Sequence, residues 1–193
     1  MLSVLATAAC TGSNASPRRT STTVARRPAI RFELAGAEVQ GPGPPAFPDD
    51  ARAAVLDTLN RWLSDAVVGP LVSGRPAPDL TPIFTAATQA RLSGPDRAAL
   101  VDEGLPPATR GLRSEAAAAN LTALAGADGV LAAVSARIDL RLRALGDGPP
   151  LRVDRQGELV MVPDSGNWKI DGYDVRVSRD SEEGPSTSYG TGT

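Results

Sequence analysis

From Val134 to Arg143 the chain alternates without a break. Val134, Ala136, Ile138, Leu140 and Leu142 fall on one parity, and Ser135, Arg137, Asp139, Arg141 and Arg143 on the other. Successive side chains of a β-strand point to opposite faces, so this spacing predicts a strand with one oily face and one wet, mostly basic face. Such a strand belongs in an antiparallel sheet whose apolar side is covered by something else.

The rest of the chain supplies neighbours and a cover. Gly146 to Pro150 reads as a turn, Leu151 to Val162 as a strand with Gly157 as a candidate bulge, Asp164 to Asn167 as a second turn and Trp168 to Ser178 as a further strand. Ser114 to Leu124 is a strand ahead of these, closed by the Gly126–Gly129 turn. Upstream the period becomes helical. Asp49 or Asp50 caps a helix running to about Val68, with Val55, Leu59, Trp62, Leu63 and Ala66 on one face, and Gly69-Pro70 ends it. A second helix is expected from Asp79 or Thr81, with Pro82 in its first turn, to about Leu92, and a short third from Pro95 to Glu103. Ala29 to Leu34 reads as a short first strand, and the Gly/Pro-rich run Gly41–Pro48 as a break. The expected fold class is α+β, with N-terminal helices packed on a curved antiparallel sheet of about four strands. One domain spans 29–179, and the polar tail 180–193 is expected to be disordered.

Composition prunes function hard. The 193 residues contain no histidine and a single cysteine, Cys10. Ser-His-Asp triads, Cys-His dyads, His-dependent zinc sites, intramolecular disulfides and Cys-x-x-Cys chemistry are therefore excluded. A net charge of −2 argues against general nucleic-acid binding, which needs a basic footprint. Gly41-Pro42-Gly43 lacks the strand-to-helix context and the lysine of a phosphate loop, and Asp49-Asp50 serves better as a helix cap than as a calcium ligand, so no cofactor and no metal is expected. Lys169 is the only lysine, and the bias toward arginine and alanine resembles GC-rich coding of the actinobacterial kind.

Met1 to Ala9 form a short apolar stretch ending in small residues before Cys10. Ala8-Ala9-Cys10 resembles the end of the lipobox of bacterial lipoproteins, and Thr11-Gly12-Ser13-Asn14-Ala15-Ser16 resembles the polar tether that follows it; Thr7 stands where that family most often has leucine. The resemblance implies a signal-peptide remnant over 1–10, a flexible tether over 11–28, and a diacylglyceryl group with palmitate-type chains on Cys10. It places the protein outside the cytoplasm, anchored to the cell membrane. Buried acyl chains contribute about 0.8 kcal/mol per CH₂, and two chains hold where one does not. Arg18, Arg19, Arg26, Arg27 and Arg31 lie in or just after the tether with no acidic residue among them. They read as a solvated linker, or as a lipid-facing basic run.

The closing run Gly166-Asn167-Trp168-Lys169-Ile170-Asp171-Gly172-Tyr173-Asp174-Val175 resembles the last strands of the nuclear transport factor two-like superfamily, including actinobacterial proteins associated with mammalian-cell-entry transport loci. The resemblance spans about residues 48–179. It implies a cone with a cavity between sheet and helices, a Trp packed under the helices, and often dimerisation through the outer sheet face. It does not fix a function, because this fold hosts enzymes, transport factors and inert modules alike.

Three residues are therefore candidates to line a cavity: Trp62, Trp168 and Tyr173. Each has a plainer reading as a core anchor, the tyrosine with its hydroxyl at the rim. An isomerase- or dehydratase-type site would pair Tyr173 with a carboxylate such as Asp57 or Asp65. Arg137, Arg141 and Arg143 form a candidate basic interaction face for an anionic glycan, a lipid headgroup or a partner; the plainer reading balances them against Asp139, Asp154 and Glu158. With no convergent catalytic set, the expectation is not an enzyme. It is a lipid-anchored cell-envelope protein with a binding or interaction domain. Its expected partners are membrane lipid through Cys10, an envelope protein or a small apolar ligand, and a second copy of the chain, but no nucleic acid.

Overall fold

A computed structural model describes residues 30–42 and 46–182. Cys10, the tether and the tail beyond Glu182 lie outside the described residues. The fold is α+β, as expected, but its sheet has five strands in the order β1-β2-β3-β4-β5 and is mixed. The strands are β1 (Glu33–Gln40), β2 (Gly111–Ala125), β3 (Leu131–Leu145), β4 (Leu151–Asp164) and β5 (Asn167–Ser181). The last four make the expected meander. The correction is β1, which begins later than expected and pairs parallel to β2, Glu33 opposite Ala118 and Gln40 opposite Leu124. A parallel neighbour needs a long crossover, and the whole helical layer supplies it between Gln40 and Gly111. β5 also runs past the expected boundary at residue 179.

The alternating strand behaves as its period demands. Val134, Ala136, Leu140 and Leu142 are fully buried and Ile138 is nearly so, while Arg137 is exposed and Asp139, Arg141 and Arg143 are half-buried on the opposite side. The cover is a continuous helical rod. α1 (Asp49–Trp62) passes into a π-helical stretch, Leu63–Val68, and then into α2 (Gly69–Ser73). Gly69-Pro70 therefore does not end the helix. Proline removes the N–H that would bond the carbonyl four residues back and its ring crowds that carbonyl. The wider turn relieves the clash, and the freed Ala66 carbonyl accepts from the Asp102 N–H at 3.0 Å. The rod ends at Gly74, whose φ of 64° is a left-handed cap. Asp49 and Asp50 sit in the first turn of α1 rather than capping it, where their charge is favourable at the positive end of the helix dipole.

The second expected helix shrinks to α3 (Ala86–Arg91), capped by the Thr85 hydroxyl, and the third to α4 (Gly94–Leu100). Proline at 82 and the local bonds of Asp79 to Thr81 hold the preceding segment as turns. Gly157 is not a bulge: it pairs in register with Ile138 on one side and Val175 on the other. Its φ of 148° belongs to glycine, and a Cβ there would lie 2.0 Å from the Asp174 carbonyl oxygen. The bulge falls on β5, where Asp171 is the extra residue between Ile170 and Gly172. Its carboxylate accepts from Thr85 Oγ1 at 2.8 Å and its carbonyl from Arg91 at 3.1 Å, which ties α3 to the sheet edge.

Candidate functional site

The side of the sheet beneath the helices is filled. Trp62, Leu59, Leu63 and Leu71 from the rod, with Ile83, Phe84 and Leu100, meet Leu121, Leu140, Leu142, Leu159 and Ile170, all at most 1% exposed. Trp62 is a core anchor: its ring stacks on Phe32 at 6.2 Å, and its indole N–H donates to the Leu100 carbonyl at 3.0 Å. Trp168 is half-buried at the edge of the core, its carbonyl accepting from Thr58 at 3.0 Å, while Ile170 two residues on is fully buried. The structure thus brings Trp62 into the core's centre and leaves Trp168 and Tyr173 at its margin.

Tyr173 shares the inward parity of β5 with Val175 and Val177. Its carboxylate neighbour is Asp96 of α4, which is exposed, rather than Asp57, whose side chain pairs with Arg61, or Asp65. Burial first, and the Asp96 carboxylate second, push the Tyr173 phenol above its ordinary range. A phenol that holds its proton this firmly is a hydrogen-bond donor at neutral pH and a poor base.

One charged cluster lies within the core, and reading the sequence missed it. Arg155 and Asp102 are buried, and they meet as a two-pronged pair at 3.1 and 3.2 Å. Arg179 adds bonds to the same carboxylate at 3.0 and 2.7 Å. The last turn of α4 is held by the same groups. Ala98 accepts from Arg179, Ala99 from Arg155 at 2.9 Å, and Leu100 from Trp62. Three carbonyls that a helix end leaves orphaned are thus satisfied by side chains. Two guanidinium charges meet one carboxylate and the negative pole of a helix, which balances the charge. The Arg155 guanidinium also lies 5.7 Å from the Trp62 ring centroid. The signal was legible: Arg155 has the inward parity of Val153 and Leu159, and an arginine on that parity demands a buried acid.

The opposite side of the sheet is open and polar. Its centre is the row Gly36–Asn120–Arg137–Glu158–Asp174, one residue from each strand. Two open depressions of about 470 and 370 Å³ flank Arg137 and share Asn120 with it. The smaller one places Glu158 and Asp174 as direct cross-strand neighbours, two carboxylates side by side. Glu158 is engaged by the Ser135 hydroxyl, and among the described residues Arg137 has no ion pair.

The predicted basic face is thus split. Arg141 pairs with Asp139 at 2.8 Å, and this contact lowers the Asp139 carboxyl and raises the guanidinium. Arg143 pairs with Glu182, and Arg137 is in no ion pair among the described residues. The balancing acids are only partly those expected, since Asp154 pairs with Arg152 at 2.9 Å. Positive charge concentrates across strands rather than along β3: Arg113, Arg143 and Arg152 are direct register partners on β2, β3 and β4.

No group of His, Cys, Asp and Glu suited to a metal occurs among the described residues, and none of their helices is long and apolar enough to cross a membrane. Compared with known proteins, the chain matches no family model, no curated protein and no solved structure.

Proposed function

We propose that the chain is a lipid-anchored protein of the cell envelope whose single domain is a non-catalytic binding module, a variant of the nuclear transport factor two-like cone. The observation that carries this reading is the contrast between the two sides of one sheet. The side that would hold a reaction chamber is occupied by Trp62 and its leucines, and the charges inside it, Arg155 and Asp102, are consumed by each other. The other side carries two depressions lined in part by Arg137, whose guanidinium is in no ion pair among the described residues. Long strands beneath a helical layer support the cone, and the lipobox-like Ala8-Ala9-Cys10 supports the anchor.

A second reading has one observation in its favour. Tyr173 is half-buried beside a carboxylate, Asp96, as an isomerase- or dehydratase-type site would require. One screen separates the two readings: binding of small polar and carbonyl-containing fragments, mapped by amide chemical shifts. The binding module predicts shifts clustered on Asn120, Arg137 and Glu158. Clustering on Tyr173 and Asp96 would transfer the proposal to the enzyme. The anchor is tested by growing a bacterial host that makes the full chain in alkyne-palmitate. Label is expected on the native chain and absent from Cys10→Ala. Equal labelling of both, or none on either, contradicts it.

A further inference from the structure

We infer that the outer edge of β1 docks a second copy of the chain, strand against strand, across a two-fold axis at Ala37. β1 ends the sheet. One of its edges pairs with β2, and among the described residues no strand pairs with the other. Such an edge presents a row of unpaired N–H and C=O groups, and proteins usually blunt it with lysine, proline or a covering segment. The eight residues Glu33–Gln40 contain neither lysine nor proline, and each is exposed or half-buried. The far edge of the sheet is treated differently. There Ile170 of β5 donates to the Ile83 carbonyl at 2.9 Å and accepts from the Thr85 N–H at 3.0 Å, so a covering segment takes up its main-chain groups.

The register on β2 fixes which side each β1 residue faces. Leu34, Ala37 and Val39 lie opposite buried Ala119, Leu121 and Ala123, on the helical side. Glu33, Gly36, Glu38 and Gln40 lie on the open side, and Ala35 is the extra residue where the register slips. A second β1 added antiparallel must match side to side, because a one-residue slip turns every side chain to the wrong face. Centring the axis on Ala37 satisfies this. It sets Ala37 opposite its own copy, Gly36 opposite Glu38, Leu34 opposite Val39 and Glu33 opposite Gln40, with Ala35 bulged in both chains. No glutamate then faces a glutamate. Leu34, a large apolar side chain left 37% exposed in the single chain, gains an apolar partner. Moving the axis to Glu38 sets Glu38 against itself, and moving it to Gly36 sets Glu38 against Glu33. Like charges directly across a strand pair are destabilising, so charge selects the Ala37 register over both.

This arrangement is closed, since each copy uses the same edge. It joins two five-stranded sheets into one of ten strands. The depressions beside Arg137 stay open in it, whereas a pair joined through the outer sheet face would cover them. The inference therefore stands apart from the anchor and from the binding module.

The test uses the full chain carrying Cys10→Ser, so that neither acylation nor the native thiol plays a part. Sedimentation equilibrium is expected to show a monomer–dimer system with Kd between about 10 μM and 1 mM, because strand addition buries less than a standard interface. Ala37→Glu sets two carboxylates face to face on the axis and should weaken the dimer at least about fivefold. Arg176→Gln makes the same change in net charge at an exposed site on β5 and should alter Kd by less than about twofold. The register is read by oxidation. Residues directly opposite in an antiparallel pair have Cα atoms about 4.5–5.5 Å apart, within the reach of a disulfide, so Ala37→Cys should cross-link to its copy in a glutathione buffer. Gln40→Cys lies on the same edge but roughly 20 Å from its copy and should stay reduced. Ala37 is exposed, and the cross-link carries the test if melting shows Ala37→Glu unfolded. A monomer at all concentrations, a dimer that Ala37→Glu weakens no more than Arg176→Gln does, or cross-linking of Gln40→Cys as ready as that of Ala37→Cys overturns the inference.

Discussion

The two faces of β3 are written in the same ten residues and are held by different physics. On the inner face the β3 residues themselves are apolar and are held mainly by burial and size, with Arg155 and its acid Asp102 the exception. On the outer face, what a side chain does depends on which residue lies across the strand gap. Arg141 is neutralised by Asp139 on its own strand, Arg143 sits between two other arginines, and Arg137 faces an acid already engaged by Ser135. A basic strip along one strand is thus a poor guide to where charge collects on a sheet.

The largest effects belong to the inner face. Asp102→Ala strands two arginines, one of them fully buried, and is expected to cost about 3–5 kcal/mol in urea denaturation. Asp102→Asn keeps the shape but loses the charge and turns one acceptor oxygen into an NH2 facing the guanidinium donors, so it should cost nearly as much; a cost far below that of Asp102→Ala would break the claim that charge matters there. Leu140→Ala leaves a cavity under the helical rod, with an expected cost of about 2–5 kcal/mol. A loss under about 1 kcal/mol would mean that the inner face is not the core.

A smaller effect separates the faces by pH. Glu103, held by Arg97 and the Ala77 N–H, and Asp139, held by Arg141, have carboxyls lowered below their ordinary values. A carboxyl lowered in the folded state stabilises it at neutral pH. That contribution is lost as pH falls through the folded-state value, so stability should hold near neutrality and decline only in and below the ordinary carboxylate range. Arg141→Ala should shallow that decline. The smallest effect is stability itself on the open face, where Arg137→Ala is expected within about 0.5 kcal/mol of the native chain. A larger cost would sharpen the comparison by revealing a partner for Arg137 in solution.

How much of this was legible follows the same division. The meander, its turns and the first helix were readable because each rests on a period of apolar residues. β1 was misplaced because Glu33–Gln40 is mostly exposed, with only Gly36 and Val39 half-buried, and its parallel pairing depends on a crossover that no local pattern announces. The helix past Gly69-Pro70 was missed because the π-helical stretch that accommodates proline is decided by the Ala66 carbonyl finding Asp102, a partner distant in sequence. The candidate site divides likewise. Arg137 and Arg143 were readable from alternation, whereas Arg113 and Arg152 join them only once the register is known. Arg155 lay on the apolar parity of its strand and was overlooked.

The most direct test of the two-faced sheet places a single thiol on each side. Ala136→Cys and Arg137→Cys, each in a Cys10→Ser background, are reacted with a small disulfide reagent under native conditions. Ala136 is fully buried and Arg137 is exposed. The account predicts that the thiol at 137 reacts at the rate of a free thiol, and that the thiol at 136 reacts only when the domain opens, slower by orders of magnitude. Comparable rates at both positions, or faster reaction at 136, would contradict it.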